Sequence, residues 1–390
     1  MKYFIIAGEA SGDLHGSRLI AELKHRDSDA QFCFLGGDKM ADAAGCAPIV
    51  HYRDMAFMGF INVLLNINKV YRFRQLAQQQ LLQFQPDKVI LIDYPGFNLR
   101  FAKFVKQNLS TAEVVYYIAP KLWAWKEYRI KSIKRYIDRM FTIFPFETEW
   151  FASRGYKVEY VGNPSVDSVS AFMCEYFDAQ KFRADNKLDS RPIIALLPGS
   201  RRQEIRSCLP IMAQLAPLYP DYQFVIAAAP SVEPEFYQAI INENCSQSST
   251  FNFLSPKAQR PVVQLSTSTY SLLRVAQAAV VNSGTATLET ALFRVPQVVV
   301  YKVFAGRLAM LLKPLLIKTS WVSLVNIIAQ REVVTELLAH NFTLKNTASE
   351  LSYLLNDPSR REAMLQFYNQ IIQTLGPSGA DARCAEKMFL

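Results

Sequence analysis

Residues 196–205, LLPGSRRQEI, read as an apolar strand, a Pro-Gly-Ser turn and a helix that opens on Arg201 and Arg202. Cations are mildly unfavourable at the positive end of a helix dipole. The pairing makes sense if something doubly negative docks there. A diphosphate is the obvious guest, because free backbone N–H groups at a helix start already favour phosphate. VVNSGTATLET repeats this logic: a strand ends at Asn282, and Ser283, Gly284 and Thr285 offer N–H and hydroxyl donors at a helix start. Glu289 follows one turn after Thr285, within reach of a ribose hydroxyl pair. A plainly capped helix with a Ser-Gly turn is the simpler alternative, but two phosphate-friendly helix starts make coincidence a poorer account.

LIDYPGFNLR puts Asp93 at the end of a continuous apolar strand, the position where α/β sheets present catalytic groups. The helix after it begins beyond Pro95, too late for Asp93 to be an ordinary N-cap. A carboxylate at a dry strand end acts as a general base once burial raises its pKa. GEASGDLHG sets Gly8, Gly12 and Gly16 four apart after a strand. That is not the G-x-G-x-x-G of a dinucleotide site, so a nicotinamide enzyme is disfavoured. Glu9, Ser11 and Asp13 nevertheless crowd polar chemistry into a loop that an ordinary turn would leave plain. Asp27 to Asp29 lie in a charged run between a helix and a strand and read as a solvated loop. With no histidine cluster either, no metal is expected.

These residues need a scaffold, and the chain repeats one. Before residue 165, apolar runs such as YFIIAGE, QFCFLGG, KVILIDYPG and EVVYYIAP alternate with amphipathic helices. Buried parallel strands read as continuous apolar runs joined by helical crossovers, so this is an α/β doubly wound sheet. YVGNPSVDSV breaks the pattern as an interdomain connection, and a second strand-turn-helix series begins at PIIALLPGS. The expected domains are 1–165, 166–350 and a helical segment 351–390 divided at Pro358. Two tandem α/β domains usually place a cleft between the carboxyl ends of their strands.

Composition narrows the class. The 390 residues are half hydrophobic and carry a formal net charge of +9, which suits a globular chain with acidic partners. Six scattered cysteines without a C-x-x-C pair suit a reducing compartment. The first strand is too short for a signal peptide and no run is long enough to span a membrane, so the expected location is cytoplasmic. The block 55–67 followed by Lys69, Arg72 and Arg74 reads equally as buried core or as an interfacial membrane anchor. On the second reading Met55, Phe57, Met58, Phe60, Val63, Leu64 and Leu65 are partly exposed and receive acyl chains. KEYRIKSIKR reads as a solvated helix face, with attraction to anionic lipid as the sharper alternative. A basic nucleic-acid-binding protein would also explain the charge, but no nucleic-acid module is recognisable.

Together AGEASGDLHG, MGF, DYPGFN, YYIAPKLWAWKEYRIKSIKRYIDRMFTIFPFE, LLPGSRRQEI, NSGTATLE and KTSWVSLVNIIAQREVVTELL resemble, in order and spacing, the lipid-A-disaccharide synthase family. The resemblance implies a GT-B fold: two Rossmann-like domains facing a central cleft, with C-terminal helices crossing back to the first domain. It implies an inverting transfer from UDP-2,3-diacylglucosamine to 2,3-diacylglucosamine 1-phosphate, giving a β-1,6-linked disaccharide 1-phosphate and UDP, with no cofactor. Asp93 would take the acceptor proton, with Glu9 as the reserve. Ser11, Gly12, Asp13 and Asn98 would line the acceptor loop. Gly199, Ser200 and Arg201, with Ser283, Gly284, Thr285, Ala286 and Thr287, would hold the diphosphate without metal, Arg202 being the weaker candidate. Glu289 and Asn326 would lie near the donor. A peripheral enzyme on the anionic inner-membrane surface follows, and in some members a homodimer that exchanges the C-terminal segment. The chain departs from the family pattern at Asn62, Asn163, Val325, Gln330 and Thr335. The runner-up readings are a cell-wall glucosaminyltransferase and a UDP-sugar 2-epimerase.

Overall fold

The computed structural model describes residues 1–55, 67–247, 263–302 and 319–389, and they form two compact units. Among the described residues, unit 1 holds 1–164 and 377–389, and unit 2 holds 165–302 and 319–376.

Unit 1 runs β1 (Lys2–Ala7), α1 (Ala10–Arg26), β2 (Gln31–Gly36), α2 (Asp38–Ala44), β3 (Val50–His51), α3 (Tyr52–Met55), α4 (Ile67–Phe84), β4 (Lys88–Ile92) and α5 (Pro95–Asn108). It continues with β5 (Glu113–Tyr117), α6 (Ile130–Tyr136), β6 (Arg139–Thr142), α7 (Phe146–Ala152) and β7 (Glu159–Tyr160). The strands form one sheet in the order β3-β2-β1-β4-β5-β6-β7, with every pairing parallel. Side chains of β1 alternate between its faces: Phe4 and Ile6 enter one buried cluster, and Tyr3, Ile5 and Ala7 another. Burial on both faces is why these strands are unbroken apolar runs, each fully buried large side chain contributing about 1.5–3 kcal/mol.

Unit 2 begins with α8 (Pro164–Cys174), α9 (Ala179–Asp185), β8 (Ile193–Leu197), α10 (Arg202–Ala213), β9 (Gln223–Ala227), α11 (Pro234–Gln247) and β10 (Val263–Ser266). Then come α12 (Thr269–Val275), β11 (Ala276–Asn282), α13 (Thr285–Leu292), β12 (Gln297–Tyr301), α14 (Leu324–Ala329), β13 (Glu336–Leu338), α15 (Leu344–Asn356) and α16 (Pro358–Leu375). Its sheet order is β10-β9-β8-β11-β12-β13, again parallel throughout. Two Rossmann-like units of this kind make a GT-B fold.

The segment 351–390 divides. Helices α15 and α16 lie in unit 2, and α17 (Ala380–Phe389) lies in unit 1. There Cys384, Ala385 and Met388 enter the cluster that holds Leu19, Ile20 and Leu23 of α1. Tyr117 donates to Oδ1 of Asp381 at 2.6 Å, Arg383 donates to the Val161 carbonyl at 2.8 Å, and Lys387 pairs with Glu159 at 2.7 Å. Among the described residues, no helix is long and apolar enough to cross a membrane.

Candidate active site

In unit 1 the chain builds the sheet outward in both directions from β1 and β4, which are neighbours, so their carboxyl ends form the switch point where α/β sheets bind ligands. Ala7 faces Ile92 in the register. Glu9 and Asp93 therefore leave adjacent strands at the same edge. Asp93 and Tyr94 both adopt left-handed backbone, at φ 43° and 48°, a conformation costly for residues other than glycine. Their surroundings hold it. The Asp93 N–H donates to the Tyr117 carbonyl at 3.1 Å, and its carbonyl accepts from Asn98 Nδ2 at 2.7 Å and from the Tyr116 hydroxyl. Asn98 Nδ2 also donates to the Ile92 carbonyl at 3.2 Å. The Tyr94 ring lies where a β-carbon on Gly8 would stand, so that position admits only glycine.

Held this way, the Asp93 side chain stays open to solvent although protein crowds it. Lost hydration raises its pKa, the Glu9 carboxylate raises it further, and Lys121 and the Tyr94 N–H pull the other way; water contact moderates the shift. The same burial, with Glu9, pushes Tyr94 up to about 12. Glu9 is the extended residue before α1 and does not cap it. Lys121, four residues past the end of β5, completes a cluster of two carboxylates and one ammonium on three neighbouring strand ends. Nothing in the sequence alone marked Lys121; it follows from β5 lying beside β4.

Two of the expected acceptor residues have tasks within the fold. Asp13 is buried, and its carboxylate accepts from the backbone N–H groups of Gly37, Lys39 and Met40 at 2.7–3.3 Å, which caps α2. Asn98 is buried, and its Nδ2 holds the Asp93 carbonyl. Ser11 is exposed in the first turn of α1, and Gly12 packs closely on Ala7 and Ile92. Met55 ends α3; Phe57, Met58, Phe60, Asn62, Val63, Leu64 and Leu65 lie outside the described residues.

Unit 2 has the corresponding switch point between β8 and β11, where Leu197 faces Val281. After β8, Gly199 has φ 125°, and a β-carbon there would meet Glu204. Glu204 turns back on the start of α10 and accepts from the N–H of Ser200 at 3.0 Å and of Arg201 at 3.4 Å. The donors expected for a diphosphate are thus filled by the chain's own carboxylate, as the three-residue spacing of Arg201 and Glu204 permits. Arg201 keeps its side chain 71% exposed with only a 3.7 Å approach from Glu204. Arg202 is engaged, paired with Glu233 and lying 4.8 Å over the Phe236 ring.

After β11, α13 starts with no side-chain cap. The Ser283 hydroxyl donates to the Val322 carbonyl at 2.8 Å, and buried Thr287 donates to the Gly284 carbonyl at 2.8 Å while accepting from the Leu324 N–H at 3.2 Å. These two hydroxyls shape the turn, and Gly284 and Thr285 form its exposed part, with Ala286 packed against the core. Glu289 accepts from the Tyr270 hydroxyl at 2.7 Å on one oxygen, and burial raises its pKa. Asn326, expected near the donor, is fully buried, and its side-chain amide is engaged within unit 2. Its Nδ2 donates to the Val334 carbonyl and Glu336, and its Oδ1 accepts from Val333 and Val334.

The chain matches the family described as lipid-A-disaccharide synthetase over residues 3–386. The lipid-A-disaccharide synthase of Trichlorobacter lovleyi is 34% identical over 388 residues, which cover 98% of this chain and 96% of that one. The enzyme of the same name from Gluconobacter oxydans is 35% identical over 401 residues, covering 99% and 90%. Among solved structures, UDP-GlcNAc 2-epimerase from Neisseria meningitidis bound to UDP-GlcNAc superposes with a TM-score of 0.66 at 15% identity over all of both chains. The calicheamicin glycosyltransferase superposes with a TM-score of 0.56 at 13% identity, covering 100% of this chain and 97% of that one. At such identities the structural likeness shows the GT-B fold alone.

Proposed function

This chain belongs to the lipid-A-disaccharide synthetase family, and from that premise we propose that it joins UDP-2,3-diacylglucosamine to 2,3-diacylglucosamine 1-phosphate with inversion. The products are the β-1,6-linked disaccharide 1-phosphate and UDP. The observation that carries the reading is Asp93, whose backbone is pinned by Asn98, Tyr116 and Tyr117 while its carboxylate stays open beside Glu9 and Lys121.

A sugar hydroxyl is a weak nucleophile near neutral pH. As the acceptor 6-oxygen attacks the donor anomeric carbon, Asp93 accepts the hydroxyl proton. The bond from that carbon to the diphosphate oxygen breaks, and UDP leaves with the electron pair. One displacement inverts the centre. Arg201 and the N–H groups of Gly284, Thr285 and Ala286 compensate the charge on the departing diphosphate. Glu289, with one oxygen on Tyr270, offers the other to the ribose hydroxyls. Acylated substrates put the work at a bilayer surface, where the apolar residues of block 55–65 would receive the chains.

The direct test incubates the chain with both acylated sugars and reads UDP release together with product mass. A tetraacyl disaccharide 1-phosphate, formed in step with UDP, is expected. An epimerised UDP-sugar without disaccharide would overturn the reading.

A further inference from the structure

The turn after β5 carries two tryptophans with opposite surroundings. Trp123 is buried, donates its indole N–H to Oε1 of Glu147 at 3.0 Å and meets Phe146 edge-on at 5.2 Å. Glu147 is itself fully buried and also accepts from the Phe144 N–H at 3.2 Å. Burial pushes its pKa up to about 7 against those donors. This anchor fixes the turn. Two residues on, Trp125 is 46% exposed and Tyr128 is 67% exposed.

The charge around them has one sign. Residues 121–136 carry six cations and a single carboxylate, and that carboxylate, Glu127, is taken by Arg154 at 2.6 Å. Helix α6 turns Ile133 into the core and leaves Lys131, Lys134 and Arg135 exposed. Amphipathic Trp and Tyr rings beside lysine and arginine are the composition of a lipid headgroup contact. A single-stranded nucleic acid would want a free ring face for base stacking. Here Lys126 Nζ lies 4.0 Å over the Trp125 ring.

We propose that residues 125–135 form a docking face for an anionic bilayer, with Trp125 and Tyr128 at headgroup depth and Lys131, Lys134 and Arg135 against lipid phosphates. The choice of a bilayer rests on the reading that the substrates are acylated. The turn that brings the Lys121 charge to bear on Asp93 also presents Trp125 to solvent, so binding the surface and serving the site use one piece of chain.

The experiment measures sedimentation of the full chain with phosphatidylcholine vesicles, with and without phosphatidylglycerol, in the absence of sugar substrates. Binding is expected only with phosphatidylglycerol and is weakened by salt. Trp125→Ala with Tyr128→Ala, and separately Lys131→Glu with Lys134→Glu and Arg135→Glu, are each expected to weaken it about tenfold or more at unchanged melting temperature. Tryptophan emission should shift to the blue on the vesicles, and Trp125→Phe should remove that shift. Equal binding to both vesicle types, parental binding by the charge-reversed variant, or tighter binding to a single-stranded oligonucleotide than to the anionic vesicles would each overturn the proposal. Because vesicle binding is read without substrate, a chain that docks but makes no disaccharide refutes the function and not the face.

Discussion

Units 1 and 2 share a topology, and equivalent positions in them are filled in opposite ways. At the unit 1 switch point the strand ends in a strained side-chain presenter, Asp93, and the preceding helix start carries no cap from Glu9. At the unit 2 switch point the loop after β8 is filled by its own Glu204, and the loop after β11 is bare backbone around Gly284. The first arrangement fixes one carboxylate and suits proton transfer. The second exposes N–H groups and one guanidinium and suits holding an anion. A shared scaffold sets where chemistry can occur, and the few residues after each strand decide which chemistry.

The largest expected effect breaks the unit 1 side alone. Asp93→Asn keeps the shape and loses the basicity, so turnover should fall roughly 10²–10⁴-fold with UDP affinity unchanged. The parent's activity should also fall as pH drops through the raised Asp93 pKa, because the protonated acid is no base; that acid limb sits above the ordinary carboxylate range and is absent from the variant's residual rate. Near-normal turnover in Asp93→Asn would move the base to Glu9. Next in size, Arg201→Ala should weaken UDP binding, read by calorimetry, roughly 10- to 150-fold through loss of a charge-assisted phosphate contact. Unchanged affinity in a folded variant would erase the contrast between the units. Smallest is Glu204→Gln, which keeps an oxygen acceptor near Ser200 but removes the charge competing with a diphosphate. UDP binding should tighten about two- to fivefold, and looser binding would mean that Glu204 organises the loop for the nucleotide.

Much of this was legible in the residues. KVILI and EVVYY read as buried parallel strands because both faces are covered, and Asp93 follows directly from where the first of them stops. What could not be read were the partners that the fold brings to each polar side chain. Nothing in the order of residues shows that Gly37 and Met40 donate to Asp13, or that Asn326 accepts from Val333 and donates to Glu336. Ser283 and Thr287 likewise spend their hydroxyls on the turn. Polar residues in glycine-rich turns serve backbone N–H groups or ligands with the same chemistry, and only three-dimensional neighbours separate the two. For Thr287 as donor and for Glu204 the partners are local, and for Glu204 the capping-box spacing offered the signal.

Helix α17 has a consequence for the order in which the molecule is made. It supplies Cys384, Ala385 and Met388 to a core whose other members, Leu19, Ile20 and Leu23 among them, leave the ribosome long before it. At ordinary synthesis rates roughly 10–45 s pass while unit 2 is being translated. During that interval the face of α1 that will receive α17 has no native cover, and unit 2 can acquire its fold before unit 1 has its last apolar piece. Assembly of the two units is then opposite to their order in the gene: the domain that begins first is sealed last.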